Sequence, residues 1–389
     1  MKPFILIIVL ISFIDMFSQL PIMSPFAKSL GASPAFIGLI VGMYSFSNMF
    51  GNIIAGYWID KYGGKKVLLA GFFLTASMLS LYIFVSTAEQ LMAIRFLHGL
   101  FSGFLVPAAF TVLANRGKEG KQGKSMAVSG VAVGISAIIG PAFGGIVASK
   151  YDINWVFITI AVMMILIAIC SFFILPNNNK AITRKMEPPI FTLVSILKTP
   201  MLAISFIGAF SLMFAQGVLA YMLPLQVESL NYGTQYSGML LSTFGITAIL
   251  IFGLPTNRIF DKYKHQSIMM LGMAIIGLAL ILLSNASTLP YLFICMVLYG
   301  FGFALLFPSI TAMLVEHTDE ITRGKAFGLF YAFFSLGVVV GSSLTGLLAV
   351  SFSTGFIMAA CILFVYTFLL LLYFRRKKDR QNKWSDSNE

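Results

Sequence analysis

The chain has 389 residues, of which 58% are hydrophobic and only 10% charged, with a mean hydropathy of +0.91. No water-facing surface accommodates that composition, so a soluble globular protein is excluded and lipid is the expected solvent. The formal charge of +12 raises nucleic acid as a partner, but the basic residues fall in short loops between apolar runs rather than in one patch, which argues against it.

A hydrocarbon core about 30 Å thick takes roughly 20 apolar residues per helix. Twelve runs of that length occur, at 4–27, 36–59, 67–86, 90–114, 125–149, 154–176, 199–223, 236–259, 267–286, 289–313, 326–350 and 354–374. The first follows Lys2 as the core of a signal peptide would. No small-residue cleavage site follows it, however, and the run continues past Asp15, so it reads as a mature span. With an even number of spans both termini share a side, and the tails and loops of that side carry 23 of the 26 basic residues. The opposite side holds Lys28 and Lys150. The bias toward positive cytoplasmic loops then predicts cytoplasmic termini and a multi-pass protein of the cell membrane.

Two charges fall clearly inside spans, where a carboxylate or guanidinium costs several kcal/mol unless paired or hydrated. Asp15 is thirteen residues from Lys2 and thirteen from Lys28, about 20 Å along a helix from either, which places it near the bilayer midplane. Arg95 is six residues inward of Glu89, roughly 9 Å below the surface, and its long side chain reaches toward Asp15 if the two helices adjoin. Cys170, Cys295 and Cys361 lie within spans and read as small packing residues. The chain has no metal-ligand spacing, phosphate-binding loop or nucleophile elbow. It therefore reads as a non-enzyme with no metal or cofactor, and ATP is not the expected energy source.

The fifth run contains GVAVGISAIIGPAFGG, with Gly130, Gly134, Gly140, Pro141, Gly144 and Gly145. Each interior glycine costs up to about 1 kcal/mol of helix propensity and the proline roughly 3, so the segment needs an offsetting reason. Gly130 and Gly134, like Gly140 and Gly144, are spaced i, i+4 and give a face without Cβ atoms on which another backbone lies close. Pro141 permits a bend whose freed carbonyl a neighbour can satisfy.

The chain is also written twice. His98-Gly99 returns as Tyr299-Gly300, Pro107 as Pro308, Gly140 as Gly341 and Gly145 as Gly346, all offset by 201, and Asp60-Lys61-Tyr62 returns as Asp261-Lys262-Tyr263. SLGASPAFIGLI is matched by SLNYGTQYSGML at an offset of 200. The expected organisation is a six-helix half at 1–176, a cytoplasmic loop at 177–198, a second half at 199–374 and a basic tail at 375–389. A parallel pseudo-twofold axis along the membrane normal would relate the halves, with a cavity between them.

Three stretches carry a resemblance to a known family. GYWIDKYGGKK (Gly56 to Lys66) is similar to the loop 2–3 motif of the major facilitator superfamily, with a degenerate copy at Asn257 to Lys264. Arg95 with Gly99 resembles its fourth-helix motif, with His98 where glutamine is common. The stretch ending in Gly144-Gly145 resembles the fifth-helix motif of its antiporters. The resemblance covers nearly the whole length and implies an all-α membrane protein of twelve helices in two pseudo-symmetric halves.

It implies further that Gly56, Asp60, Lys61, Gly63 and Lys65, with Arg116 or Lys124 as partner of Asp60, latch the halves in one state. It also implies that the first, fourth, seventh and tenth helices line the cavity. On them Asp15 is expected to take up and release a proton and Arg95 to compete for the carboxylate, a structural pair that never titrates being the alternative. Cavity candidates are Gln19, His98, Gln216, Tyr221, Tyr299 and Phe303, with Tyr331 on the eleventh helix. Gln216 stands at the position equivalent to Asp15, and Met296 at that of Arg95, so the second half has no such charge. Its aromatic residues can wrap varied apolar molecules.

The reading is a proton-coupled antiporter exporting small apolar or amphipathic molecules, working as a monomer, with protons, substrate and membrane lipid as its partners. Export of a siderophore or another metabolite, nutrient symport and a non-transporting sensor are the alternatives. The charge asymmetry makes a direct prediction. In a background without native cysteines, a cysteine at Lys121 is protected from impermeant thiol reagent in intact cells and one at Lys150 reacts; the reverse pattern would sink this topology.

Overall fold

The structure, a computed structural model, describes residues 2–114, 122–175, 197–253, 262–318 and 322–386. Helix is the regular structure found among them. In the first half the helices are α1 (Lys2–Ser18), α2 (Met23–Ser29), α3 (Pro34–Tyr62), α4 (Gly64–Leu81), α5 (Ala88–Ser102), α6 (Leu105–Ala114), α7 (Gln122–Lys150) and α8 (Ile153–Ile174), with a 3-10 turn at Tyr82–Phe84. The second half has α9 (Pro200–Ser229), α10 (Thr234–Gly253), α11 (His265–Ser284), α12 (Leu289–Glu316), α13 (Arg323–Leu347) and α14 (Phe352–Asp386). Eleven spans are long and apolar enough to cross a membrane, and α1 with α2, bent by 43°, makes a twelfth. The twelve-span, all-α expectation agrees with this architecture.

Local chemistry sets where these helices start and stop. Ser33 accepts from the Phe36 amide at 3.3 Å with Pro34 in the first turn of α3, and Asp152 accepts from Asn154 at 2.8 Å at the start of α8, each satisfying a donor the helix itself leaves open. Gly63 turns α3 into α4 at a φ of +86°, a conformation that a Cβ disfavours.

The repeats share their pattern but not every break. The first span is interrupted at 19–22, where Pro21 lacks the amide that would serve the Phe17 carbonyl, and Leu20 takes that carbonyl instead at 3.3 Å. Met222 occupies the equivalent place, and α9 runs unbroken through it. The fourth span is interrupted at Gly103-Phe104, between α5 and α6, whereas α12 continues through Ala304 and Pro308. In this span proline alone does not break the helix. Proline with glycine four residues before it does.

Packing follows the repeat. In the first half α1 lies on α7, α3 on α5 and α4 on α8; the equivalent pairs in the second are α9 on α13, α10 on α12 and α11 on α14. Two extensive pairs join the halves, α3 with α13 and α7 with α10, with smaller contacts of α9 on α2 and on α3. A Cβ built on Gly145 of α7 would lie 2.7 Å from the Thr234 oxygen and 3.0 Å from the Gly238 Cα. One on Gly346 of α13 would lie 2.6 Å from the Pro34 oxygen and 3.0 Å from the Gly38 Cα. Gly145 and Gly346 are offset by 201, Pro34 and Thr234 by 200, and Gly38 and Gly238 by 200. The same glycine-on-glycine contact is thus made twice, and any side chain at these positions would force the helices apart.

Both contacts lie toward the face that carries Lys28, Lys150 and Glu228, here termed the charge-poor face. Lys28 Nζ pairs with Glu228 Oε1 at 3.1 Å there, Tyr221 donates to the Pro34 carbonyl at 3.2 Å and Ser24 to that of Ala220 at 3.3 Å, all across the halves. Toward the basic face, a Cβ on Gly56 of α3 or Gly328 of α13 would meet nothing within 4 Å.

Ser149 of α7 also bonds Gln235 of α10 across the halves. Cysteines at these two positions, with the three native free thiols removed, should cross-link under mild oxidant, and Gly145→Leu should lower the yield at least about fivefold by holding the backbones apart. An unchanged yield would show that the glycine contact does not hold α7 on α10.

Candidate functional site

Asp15 is fully buried in α1, three residues before the helix ends at Ser18. Its Oδ1 accepts from Gln19 Nε2 at 2.9 Å, and its Oδ2 faces His98 Nε2 at 3.1 Å and Ser102 Oγ at 3.5 Å. A carboxylate withdrawn from water needs this number of donors, since each bond to a charged group is worth about 1.5–3 kcal/mol and an unpaired buried charge costs several. The turn that follows Ser18 carries Gln19 back beside Asp15, whose backbone oxygen it also reaches at 3.1 Å.

Arg95 does not bond Asp15 directly. Its Nη1 donates to Gln19 Oε1 at 2.5 Å, so the Gln19 amide stands between the two charges and answers each with the end of opposite polarity. Nε and Nη2 donate to the Ile40 and Val41 carbonyls at 3.3 Å each, and the guanidinium lies 4.9 Å from the centre of the Tyr44 ring. The expected competition of Arg95 for the carboxylate would in this arrangement pass through Gln19. Close packing makes this reach possible: a Cβ on Gly51 would lie 3.1 Å from the Gly103 Cα, so α3 lies against α5 and brings its carbonyls within range.

Tyr44, Tyr82 and Ser102 complete the network, and sequence reasoning missed them. The Tyr44 hydroxyl and Ser102 Oγ are 2.7 Å apart, and the Tyr82 hydroxyl is 3.1 Å from His98 Nδ1. Ser102 was accessible from spacing, because Arg95, His98 and Ser102 at i, i+3 and i+7 share a helix face. Nothing in a single sequence sets Tyr44 and Tyr82 apart among 14 tyrosines.

The other candidates are distributed. Gln19 and His98, expected on a cavity wall, are buried here as partners of Asp15. Tyr299 donates to Gln216 Oε1 at 3.1 Å, so the two positions that pair Asp15 with His98 also pair in the second half, without charge. Phe303 stacks on Phe307, with ring centres 5.7 Å apart, and meets Phe244 edge-on; Tyr331 is 51% exposed beside Phe327 and Phe334.

The two glycine pairs of α7 divide. A Cβ on Gly140 would lie 2.7 Å from Phe17 Cβ, and one on Gly144 2.8 Å from the Ser18 carbonyl carbon, so both abut α1; Gly134 meets the Ile249 side chain of α10. Pro141 leaves the Ala137 carbonyl free to face Gly245, and the next carbonyl, of Ile138, accepts from Ser242 at 2.6 Å. The side-chain bond from the other half thus reaches Ile138, one residue past the carbonyl that Pro141 frees.

In the loop 2–3 motif, Asp60 and Lys61 are exposed at the end of α3, and Lys61 lies 5.1 Å from the centre of the Tyr62 ring. Lys65 donates to the Phe172 carbonyl at 2.8 Å and to that of Leu175, at the C-terminal end of α8, where a cation is favoured. Arg116, the surroundings of Lys124 and Gly130, and the second motif copy through Asp261 lie outside the described residues.

The family model described as Major Facilitator Superfamily matches residues 5–249 and 205–388. The chain belongs to the major facilitator superfamily. It is therefore a membrane transporter and not an enzyme. Among curated relatives, an MFS-type transporter of Methanocaldococcus jannaschii is 28% identical over 340 residues, covering 85% of this chain and 86% of the relative. The multi-drug resistance efflux pump PmrA of Streptococcus pneumoniae is 26% identical over 330 residues, covering 82% of each. Among solved structures, a mutant of the nucleoside transporter NupG gives a TM-score of 0.82 at 17% identity, covering 96% of this chain and 99% of NupG. A bacterial homologue of the human lysosomal transporter Spinster, inward-facing and unoccupied, gives 0.78 at 13%, covering 96% of each. Likeness at such identity shows the superfamily fold.

Gln19→Leu keeps the bulk of the side chain but removes its bonds to both Asp15 and Arg95. The variant should lose on the order of 3 kcal/mol of stability, read as a lower thermal unfolding midpoint in detergent. A midpoint equal to wild type would mean that Gln19 does not hold the two charges.

Proposed function

We infer that this superfamily transporter is a proton-coupled antiporter that exports small apolar or amphipathic molecules by alternating access between its two halves. The observation that carries the reading is the position of α7. One face of it, Gly140 and Gly144, lies on α1 at Phe17-Ser18, within three residues of Asp15; another, Pro141 and Gly145, lies on α10 of the opposite half. A change of charge at Asp15 that alters α1 is therefore one helix away from the contact between the halves. Helix faces without side chains can slide or part with little repacking, which suits a contact that must be made and broken.

The contacts at the charge-poor face and the open space around Gly56 and Gly328 support a state closed outside and open toward the cytoplasm. In this orientation the basic loops and both termini face the cytoplasm. Drug efflux is supported by the relatives PmrA and MdtG of Salmonella typhi, the latter 26% identical over 329 residues. The aromatic second half, without charge at the positions equivalent to Asp15 and Arg95 and with Phe244, Phe303, Phe307 and Phe334 in ring contact one with the next, suits apolar substrates of varied shape.

In proteoliposomes with a dye substrate, Asp15→Asn mimics the protonated carboxyl. It should retain measurable dye binding and exchange down a dye gradient, and lose at least about tenfold of the accumulation driven by an imposed pH gradient. Gradient-driven accumulation at the wild-type level would remove Asp15 as the coupling group. A panel of dyes, siderophores, nucleosides and antibiotics in the same vesicles separates drug export from metabolite export and from nutrient uptake.

A further inference from the structure

Among the described residues His98 is the one titratable group bonded to the Asp15 carboxylate near neutral pH, and it is as deeply buried as Asp15 itself. Its two ring nitrogens are used in opposite senses. A carboxylate oxygen accepts only, so Oδ2 of Asp15 at 3.1 Å assigns a proton to Nε2. Nδ1 is then left to accept, and the Tyr82 hydroxyl at 3.1 Å donates to it. The ring is also held sideways: Tyr44 and Tyr82 meet it edge-on with centres 5.2 and 5.6 Å away, and Tyr82 is itself stacked on Phe157 of α8 at 4.2 Å. One tautomer in one orientation is thereby selected.

We propose that the exchanged proton is held jointly by Asp15 and His98, with Tyr82 positioning the imidazole, rather than by Asp15 alone. This rests on the transporter reading above but adds a group to it. The unprotonated pair, carboxylate plus neutral imidazole, carries one negative charge. It takes one proton from water at Nδ1, where the Tyr82 hydroxyl turns from donor to acceptor, and becomes neutral, either as carboxylate with imidazolium or, after the Nε2 proton moves to Oδ2, as carboxylic acid with an imidazole protonated at Nδ1. Release to water on the other side restores the starting charge, and no other reactant is needed.

Every group packed against the pair is compatible with this charge change. From α3 it meets the neutral hydroxyl of Tyr44 through Ser102; from the 3-10 turn, that of Tyr82; from α8, through Tyr82, the apolar Phe157. On its own helix the charged neighbour is Arg95, which is occupied by Gln19 and by the Ile40 and Val41 carbonyls. That guanidinium balances the unprotonated pair without bonding it, so the pair is free to gain and lose its proton.

The internal repeat supplies a comparison within the molecule. Gln216 and Tyr299, at the positions equivalent to Asp15 and His98, hold the same 3.1 Å separation with groups that do not exchange protons near neutral pH. The bond is thus a feature of the fold in both halves, and two ionisable partners are found in the first alone.

The test needs no substrate. With His265 and His317 replaced by glutamine, His98 is the sole histidine, and imidazole 15N and aspartate 13C labelling in lipid nanodiscs read the pair directly. Across pH 5 to 9 the two nitrogen signals and the Asp15 carboxyl signal should change together in one transition. In Asp15→Asn, which removes the acid and keeps the shape, the coupled change of the carboxyl and nitrogen signals should be lost. In Tyr82→Phe, which keeps the ring stacked on Phe157, Nδ1 loses its hydrogen-bond donor while Asp15 still holds the proton on Nε2, so the Nδ1 signal at high pH should shift and the tautomer should stay. A carboxyl transition with both nitrogen signals unmoved would overturn the shared proton, and an Nδ1 signal unchanged in Tyr82→Phe would overturn the part given to Tyr82. A chain that failed to export any dye would refute the efflux reading and leave these results standing.

Discussion

Burying a carboxylate near the centre of a membrane protein is the constraint around which the first half is arranged. Asp15 has no exposure to solvent, and its compensation comes from Gln19 on the same span and from His98 and Ser102 on α5. Each donor needs its own local device. Gln19 lies one helical turn beyond Asp15, at the end of α1, and Arg95 finds the carbonyls of Ile40 and Val41 because glycines let α3 lie against α5. Remove any of these and a charge is left unanswered in a medium where that costs several kcal/mol.

The contact between halves is governed by an absence of side chains. Water cannot drive apolar helices together inside lipid, so close backbone approach and van der Waals contact must do so. Gly145 on Gly238 and Gly346 on Gly38 provide it at two places related by the internal repeat. The exposed pair of Lys28 and Glu228 at the rim adds little by comparison, about 0–1 kcal/mol for a solvated ion pair. Halves held by smooth, symmetric and mostly uncharged faces are coupled without being locked. Alternating access asks for that property.

Symmetry of pattern does not extend to chemistry. The duplicated positions pair Asp15 with His98 in one half and Gln216 with Tyr299 in the other, and the duplicated first and fourth spans are broken in the first half and continuous in the second. A helix break frees backbone groups and changes side-chain direction, both of which a buried charge can use. The second half, without a charge to satisfy at these positions, keeps continuous helices there and fills its interior with rings.

Composition and apolar run length were enough to expect twelve spans, because lipid forces every span to satisfy its own backbone within a helix of fixed length, while the 201-residue offset pointed to two halves and the motifs at Gly56–Lys66, Arg95-Gly99 and Gly140–Gly145 carried the likeness to the superfamily. Asp15, Arg95 and the glycines of α7 were legible for the same reason: each is costly where it stands, and a cost of that size is visible in a single sequence. Which groups meet was not legible. That Gln19 separates Asp15 from Arg95, that Tyr82 reaches His98, and that Gly140 faces α1 while Gly145 faces α10 depend on rotations of one helix against another. Those rotations are set by shape complementarity summed over many weak contacts, and no local pattern of residues encodes them.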